Sequence, residues 1–514
     1  MKKFFSIIIL CFSFNLSAEE IAYSLHFMHP EKHEAEIEIT LNSENDNELL
    51  FAMPAWAPGR YVIYNFSKNV FDVSVTDSDN QPLRVESIDK QTWKVQCPEQ
   101  KTIHFKYKVY ANTFDGTFSK IESDGAAING ACIFMYIHNR KDRPVTLRID
   151  KPDNWDCITP MEEKTTGIYH AENYDHMIDS PIELGKLFVY DFDHLGKKHQ
   201  AVFHQEVVQP FRDHFIGDIK KFISHQAAVF NNKLPYDRYI FFFTLDKNLQ
   251  HTDGMEHRNS CRVILRMDPN EINPDAKTDD NYDNLIWLSA HEFFHTWNIK
   301  RLHPKGLNPF DYDKEVYSDC LWIVEGFTSY FGYLSLARSG IYSPEKLYSE
   351  FAGRIRRYET SPGKNQHTLA EVCRLTWLFK GNIPQYEETI IDQTTYSYYY
   401  KGLVVGLLLD LKLRNLTNNK ITLDILMNRM FKKFNRKGYT ESDFENLASE
   451  LSGQDLSSFF DLTVRSTKEL DYTILIAAGL KLVAEENGSS FKIIPEVNPS
   501  GKQLKIRKDW LGLD

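Results

Sequence analysis

His291-Glu292-Phe293-Phe294-His295 lies inside an apolar segment that runs from Leu285 to Trp297. Residues four apart share one face of a helix, so both imidazoles can point at a single metal ion. Glu292 sits beside that face, where a carboxylate can take a proton from a water on the metal. The alternative is a pair of ordinary core or surface histidines, and a third ligand is needed to decide between them.

Catalytic zinc usually takes three protein ligands and leaves one position open. A third histidine in the H-E-x-x-H-x-x-G-x-x-H pattern is excluded, because Asn298 holds the glycine position and Arg301 the histidine position. His303 precedes Pro304 and suits a loop. Two glutamates remain. Glu315 belongs to the polar run Asp311-Tyr312-Asp313-Lys314-Glu315, whereas Glu325 sits within Leu321-Trp322-Ile323-Val324-Glu325-Gly326-Phe327. A carboxylate among such apolar neighbours is costly to bury unless it is paired or metal-bound, which favours Glu325.

From His291 to Pro304, and again from Trp322 to Phe331, the sequence resembles the glycyl aminopeptidase family of zinc metallopeptidases. The resemblance implies a gluzincin with a thermolysin-like catalytic fold and one zinc ion. His291, His295 and Glu325 would bind the zinc and Glu292 would act as general base. It extends from near Pro54 to about Leu480 and carries two further motifs. Asp253-Gly254-Met255-Glu256-His257 resembles the family's Gly-Met-Glu-His stretch, with Asp253 where a second glycine is usual. Glu256 would there pair with the free α-amine of a substrate lying along a strand at the cleft edge. Read without the family, Glu256 is better explained as an exposed strand glutamate paired with Arg258 or Arg262. Glu256 also reads as the start of a strand continued by Cys261 to Leu265.

The second motif is Tyr399-Tyr400-Lys401-Gly402, which matches Tyr-x-Lys-Gly with Tyr400 where glutamate is common. By the same resemblance Tyr399 would donate a hydrogen bond to the oxyanion, although Tyr396, Tyr398 and Tyr400 are close rivals in sequence.

The chain has 514 residues, 42% hydrophobic and 25% charged, which is an ordinary globular composition with room for several domains. Its formal net charge of −11 offers no broad basic surface to nucleic acid. Lys2-Lys3, the apolar run Phe4 to Leu16 and Ala18 read as a signal peptide cleaved before Glu19, implying an exported, periplasmic protein. No apolar run is long enough to span a membrane. Six cysteines follow Ala18 with no C-x-x-C pair, so disulfides are permitted but their pairing is open.

The expected architecture is multidomain α+β. After the signal peptide (1–18) come an all-β domain (19–185), a thermolysin-like α/β zinc peptidase domain (186–335), a helical domain (336–470) and a tail (471–514) too short for the PDZ domain of roughly 90 residues that many family members carry. The expected activity is a zinc aminopeptidase favouring small N-terminal residues on peptide substrates. Two rivals stand beside it: an endopeptidase on the same metal site, and a non-catalytic, zinc-stabilised peptide-binding protein.

Overall fold

A computed structural model describes residues 20–272, 279–378, 389–484 and 490–513. The expected signal peptide lies outside them, so its reading is not addressed by the fold.

The N-terminal region is all-β. Glu34–Asn42 alternates strictly, with Ala35, Ile37, Ile39 and Leu41 buried and the residues between them half-exposed. That period of two gives a strand with one core face. It pairs antiparallel with Thr102–Tyr110 inside a seven-stranded sheet, and two four-stranded sheets close over the core. Phe51, from one of the smaller sheets, stacks on Phe105 at 4.0 Å between ring centres. Ile182–Gly185 is the last strand of this region.

A five-stranded sheet begins at Phe188. Its third element in sequence, Arg238–Leu245, is a near-continuous apolar run, as expected for a strand covered on both faces. Phe241 meets Phe222 and Phe293 from two helices on one face, while Ile240 and Phe242 pack with Leu187 and Val202 on the other. Asp253–Glu256 is the edge strand, antiparallel to Ser260–Leu265. This corrects the sequence reading at one point: Glu256 ends a strand, and the chain turns at 257–259 instead of running on. His257 N–H closes that turn on the Ser260 carbonyl at 2.9 Å.

The helix Asp280–Phe294 carries the motif, started by an Asp279 side chain that accepts from two backbone N–H groups. A π-turn, Trp322–Gly326, leads into helix Phe327–Arg338, and most of the remaining chain to Thr463 is helical. The stretch read as a tail is folded. It forms a hairpin (Leu480–Ala484 with Phe491–Pro495) and a helix, Gly501–Leu511. Trp510 of that helix is buried and donates to the Tyr330 hydroxyl at 2.8 Å. No described helix is long and apolar enough to cross a membrane. All six described cysteines are unpaired.

Candidate active site

His291 and Glu292 occupy the last turn of the motif helix, and His295 caps it in helical conformation. Their Nε2 atoms stand 3.2 Å apart. Glu325 comes from the π-turn, a distortion frequent at functional sites, and its Oε2 lies 3.5 Å from His291 Nε2 and 3.3 Å from His295 Nε2. Tetrahedral zinc with N/O ligands at 2.0–2.2 Å separates its ligand atoms by about 3.3–3.5 Å. The three edges, at 3.2, 3.3 and 3.5 Å, lie within about 0.1 Å of that triangle. Glu325 Oε2 is buried with no hydrogen-bond partner, an arrangement that only a cation would compensate fully. The residues therefore fit zinc.

Outer contacts set the imidazoles. His295 Nδ1 donates to the Asn298 carbonyl at 2.7 Å, leaving Nε2 free as a ligand. His291 Nδ1 lies 3.3 Å from Ser329 Oγ. The Asn298 amide donates to the carbonyls of Ile323 and Val324, each at 2.9 Å, and so ties the motif helix to the turn carrying Glu325. Glu315 is exposed and His303 binds the Pro304 carbonyl, so neither joins the cluster.

Their surroundings shift two of the site's carboxyls in opposite directions. Burial pushes the Glu292 carboxyl well up, and the nearby Glu256 and Glu325 add to it against the pull of His295. Burial would raise Glu325 too, but the adjacent His295 and His291 outweigh it and hold Glu325 well below the usual range.

The edge strand runs past this cluster. A Cβ on Gly254 would lie 2.1 Å from Glu292 Oε1, so only glycine lets the strand approach. Glu256 Oε1 is buried without a hydrogen-bond partner. Neither arginine weighed as its mate is available: Arg258 pairs with Glu172 at 2.9 Å and Arg262 with Glu183 at 2.6 Å. Its nearest cation is Lys300, 3.8 Å away and itself bound to Asp179 at 2.9 Å. Burial lowers the His257 imidazole beside Asp179 and keeps it neutral. Two carboxylates thus share one ammonium, and one negative charge is left over. A cavity of about 270 Å³ opens there, lined by Glu256, Lys300 and Asp179.

Tyr399 stands in the first turn of helix Tyr398–Leu416, its ring 6.2 Å from that of His291. The helix comes close because Gly326 and Gly402 touch backbone to backbone: a Cβ on Gly326 would lie 2.4 Å from the Gly402 carbonyl carbon. Burial raises the Tyr399 phenol far above its usual value, and Glu325 adds to this, so it stays a neutral donor. Tyr396 instead donates to the His367 carbonyl.

Sequence reading missed the β-region loop Gly59-Arg60-Tyr61, which enters the cleft. Gly59 lies against Glu256. Arg60 Nη2 donates to Asp253 Oδ2 at 2.5 Å and to the Gly254 carbonyl at 3.1 Å. Asp253 also accepts from Gly116 N–H at 2.9 Å, so the unusual aspartate is neutralised and clasped from the β region. The Tyr61 hydroxyl is buried without a partner, and after burial itself Glu325 is the main charge raising its pKa. The only signal available was a Pro-Gly pair inside an apolar run, which a simple turn explains equally well.

Fold and site together define a zinc metallopeptidase with a thermolysin-like catalytic domain, preceded by an all-β domain and followed by helices. The family profile for the Peptidase M61 N-terminal domain matches residues 22–186, and that for M61 glycyl aminopeptidase matches residues 284–405. The chain belongs to the M61 glycyl aminopeptidase family. An aminopeptidase N family protein from Idiomarina loihiensis is similar in structure (TM-score 0.83, 27% identity, covering 90% of this chain and 79% of that one). An M1 zinc metallopeptidase mutant from Deinococcus radiodurans, bound to a Tyr-Ser-Ala substrate, shares the fold at a TM-score of 0.54 and 13% identity over 88% of this chain and 95% of that one. No curated protein sequence matches the chain.

Proposed function

We propose that the protein is an exported aminopeptidase that removes small N-terminal residues such as glycine or alanine from peptides. The observation that carries this reading is Glu256: a buried carboxylate oxygen with no partner, in a subsite with one negative charge to spare. The α-ammonium of a peptide supplies the missing charge and a fixed hydrogen-bond donor. The peptide itself adds to the free edge of Asp253–Glu256, with its first carbonyl beside Glu292 and Tyr399.

His291, His295 and Glu325 hold one zinc ion, which supplies Lewis-acid chemistry toward water and carbonyl. Glu292, next to the ligand His291 and against the substrate strand at Gly254, takes a proton from the attacking water and returns it to the leaving amine. The Tyr399 hydroxyl donates to the oxygen on which negative charge develops. Gly59 crowds the Glu256 side of the cleft, which supports a small first residue. Export rests on the leader sequence alone.

The test is release of p-nitroaniline from glycyl- and alanyl-p-nitroanilide, with and without N-acetylation, by zinc-loaded wild type and Glu292→Gln. The reading requires cleavage of free amines only, lost in the variant. Cleavage of acetylated substrates would make Glu256 structural and the enzyme an endopeptidase.

A further inference from the structure

A second recess, of about 300 Å³, opens beside Tyr399. Tyr399 lines it together with Ser329, whose Oγ lies 3.3 Å from His291 Nδ1, so the recess abuts the phenol beside the reacting bond and the outer edge of the ligand imidazole. Glu256 lines the other cavity and not this one. With the amine anchored at Glu256, the residue beyond the scissile bond is left to this side.

The recess is cationic in an acidic protein. Arg354, on helix Pro344–Glu359, lines it with its guanidinium 5.5 Å from the ring centre of Trp287, 5.4 Å from Tyr333 and 5.6 Å from Tyr400. Its Nη2 donates to the Tyr333 hydroxyl, which carries no charge. Its one carboxylate neighbour among the described residues, Glu350, is 3.9 Å away and more closely held by Lys346 at 3.2 Å. Lys346 in turn pairs with Asp283 at 2.8 Å. Arg357, one turn on, also lies over the Tyr400 ring at 5.3 Å and donates to its hydroxyl at 2.9 Å. Among the described residues, three cations (Lys346, Arg354, Arg357) thus face two carboxylates (Asp283, Glu350). The aromatic rings orient both guanidinium groups without neutralising them. A planar donor fork so placed, four-fifths covered and short of an anion, suits a carboxylate.

We propose that this recess receives the residue after the scissile bond and that Arg354, with Arg357 at the rim, binds a carboxylate carried by it. The substrate class becomes short peptides whose own carboxyl terminus reaches Arg354, or peptides with an acidic residue in second place. The inference rests on the aminopeptidase reading for its direction along the cleft.

The test compares kcat/KM for Ala-Ala, Ala-Ala-amide and Ala-Asp-amide in zinc-loaded wild type, Arg354→Gln and Tyr400→Glu. Tyr400→Glu places a carboxylate between the two arginines and leaves the helix Pro344–Glu359 untouched, so it guards against misfolding of the first variant. Wild type should prefer Ala-Ala over Ala-Ala-amide by about tenfold or more, the worth of one charge-assisted hydrogen bond. The preference should fall toward one in both variants. A gain for Ala-Asp-amide alone would support the recess and identify the side chain as the source. Equal rates for all three in wild type, or a preference that survives both variants, would overturn the proposal. If wild type turned over none of the three, the aminopeptidase reading would fail. Calorimetric binding of Ala-Ala against Ala-Ala-amide to zinc-loaded Glu292→Gln would then decide the recess, and equal affinity would overturn it.

Discussion

On the helical wall of the cleft, His291, Glu292 and His295 come from one helical turn and Glu325 from the next element, with Asn298 bonding the two together. On the opposite wall, Glu256 and Asp253 come from an edge strand, Arg60 and Tyr61 from the β region, and Asp179 and Lys300 from two further segments. The first wall is rigid by local geometry, since a helix fixes residues four apart whatever surrounds it. The second is held by charge pairs between distant segments, and its register depends on their docking. Zinc chemistry sits on the wall that tolerates no looseness, and substrate recognition on the wall that can be retuned piece by piece.

The sharpest way to break this division is to remove one group at a time from the helical wall. His295→Ala or Glu325→Ala should abolish both bound zinc, measured by elemental analysis, and activity. Glu292→Gln should keep zinc at one ion per chain and lose activity by about 10²–10⁴-fold, the usual worth of a general base. Loss of zinc in Glu292→Gln would mean that the alternative cluster of Glu256, Glu292 and His295 holds the ion, and the division between walls would be wrong.

The same contrast governs what sequence could reveal. Spacing alone pointed to His291 and His295, and apolar neighbours pointed to Glu325, because in each case the cause lies within a few residues. Glu256 was ambiguous: Arg258 and Arg262 are two and six residues away in sequence, yet their carboxylate partners come from Glu172 and Glu183. Arg60 and Asp253 lie 193 residues apart and meet only through docking of the β region. The strand continuing through Glu256 was misread because its turn signal, Asn259-Ser260, has neither glycine nor proline, and tertiary packing of the edge decides the reversal.

Glu256→Ala tests the substrate wall directly. Truncating one member of a buried charge pair costs about 2–5 kcal/mol, so kcat/KM on free-amine peptides should fall by roughly two to three orders of magnitude. The fall should appear mainly in KM, while zinc content stays unchanged. An effect in kcat alone would place Glu256 in the chemistry and blur the two walls.

Asp179 supports that subsite from behind. Burial would raise its carboxyl, but Lys300 and His257 overcome this and hold it far below the usual aspartate range. Because the folded pKa is depressed, this stabilisation is complete above the ordinary value near 3.9 and is lost as pH falls through the folded one. Asp179→Asn should destabilise the fold at neutral pH by about 3 kcal/mol, by leaving buried Lys300 without its closest partner. The difference from wild type should shrink in acid, read by denaturant unfolding at neutral pH and near pH 3.

The smallest effect belongs to the clasp between Arg60 and Asp253. Arg60 is about one-fifth exposed, so the pair lies between a surface and a buried salt bridge, with a coupling of about 1–2 kcal/mol. Asp253→Gly restores the residue usual in the family but leaves a guanidinium unpaired beside Gly254, whose approach to Glu292 allows no slack. That variant should therefore lose about tenfold in kcat/KM, and adding Arg60→Met should recover part of the loss. Recovery would show that the aspartate and the arginine act as one unit and that the β region sets the position of the substrate strand through them. Strict additivity in the double-mutant cycle would show the opposite: the loop packs against the cleft without positioning it, and the second wall would reduce to Glu256 and the groups behind it.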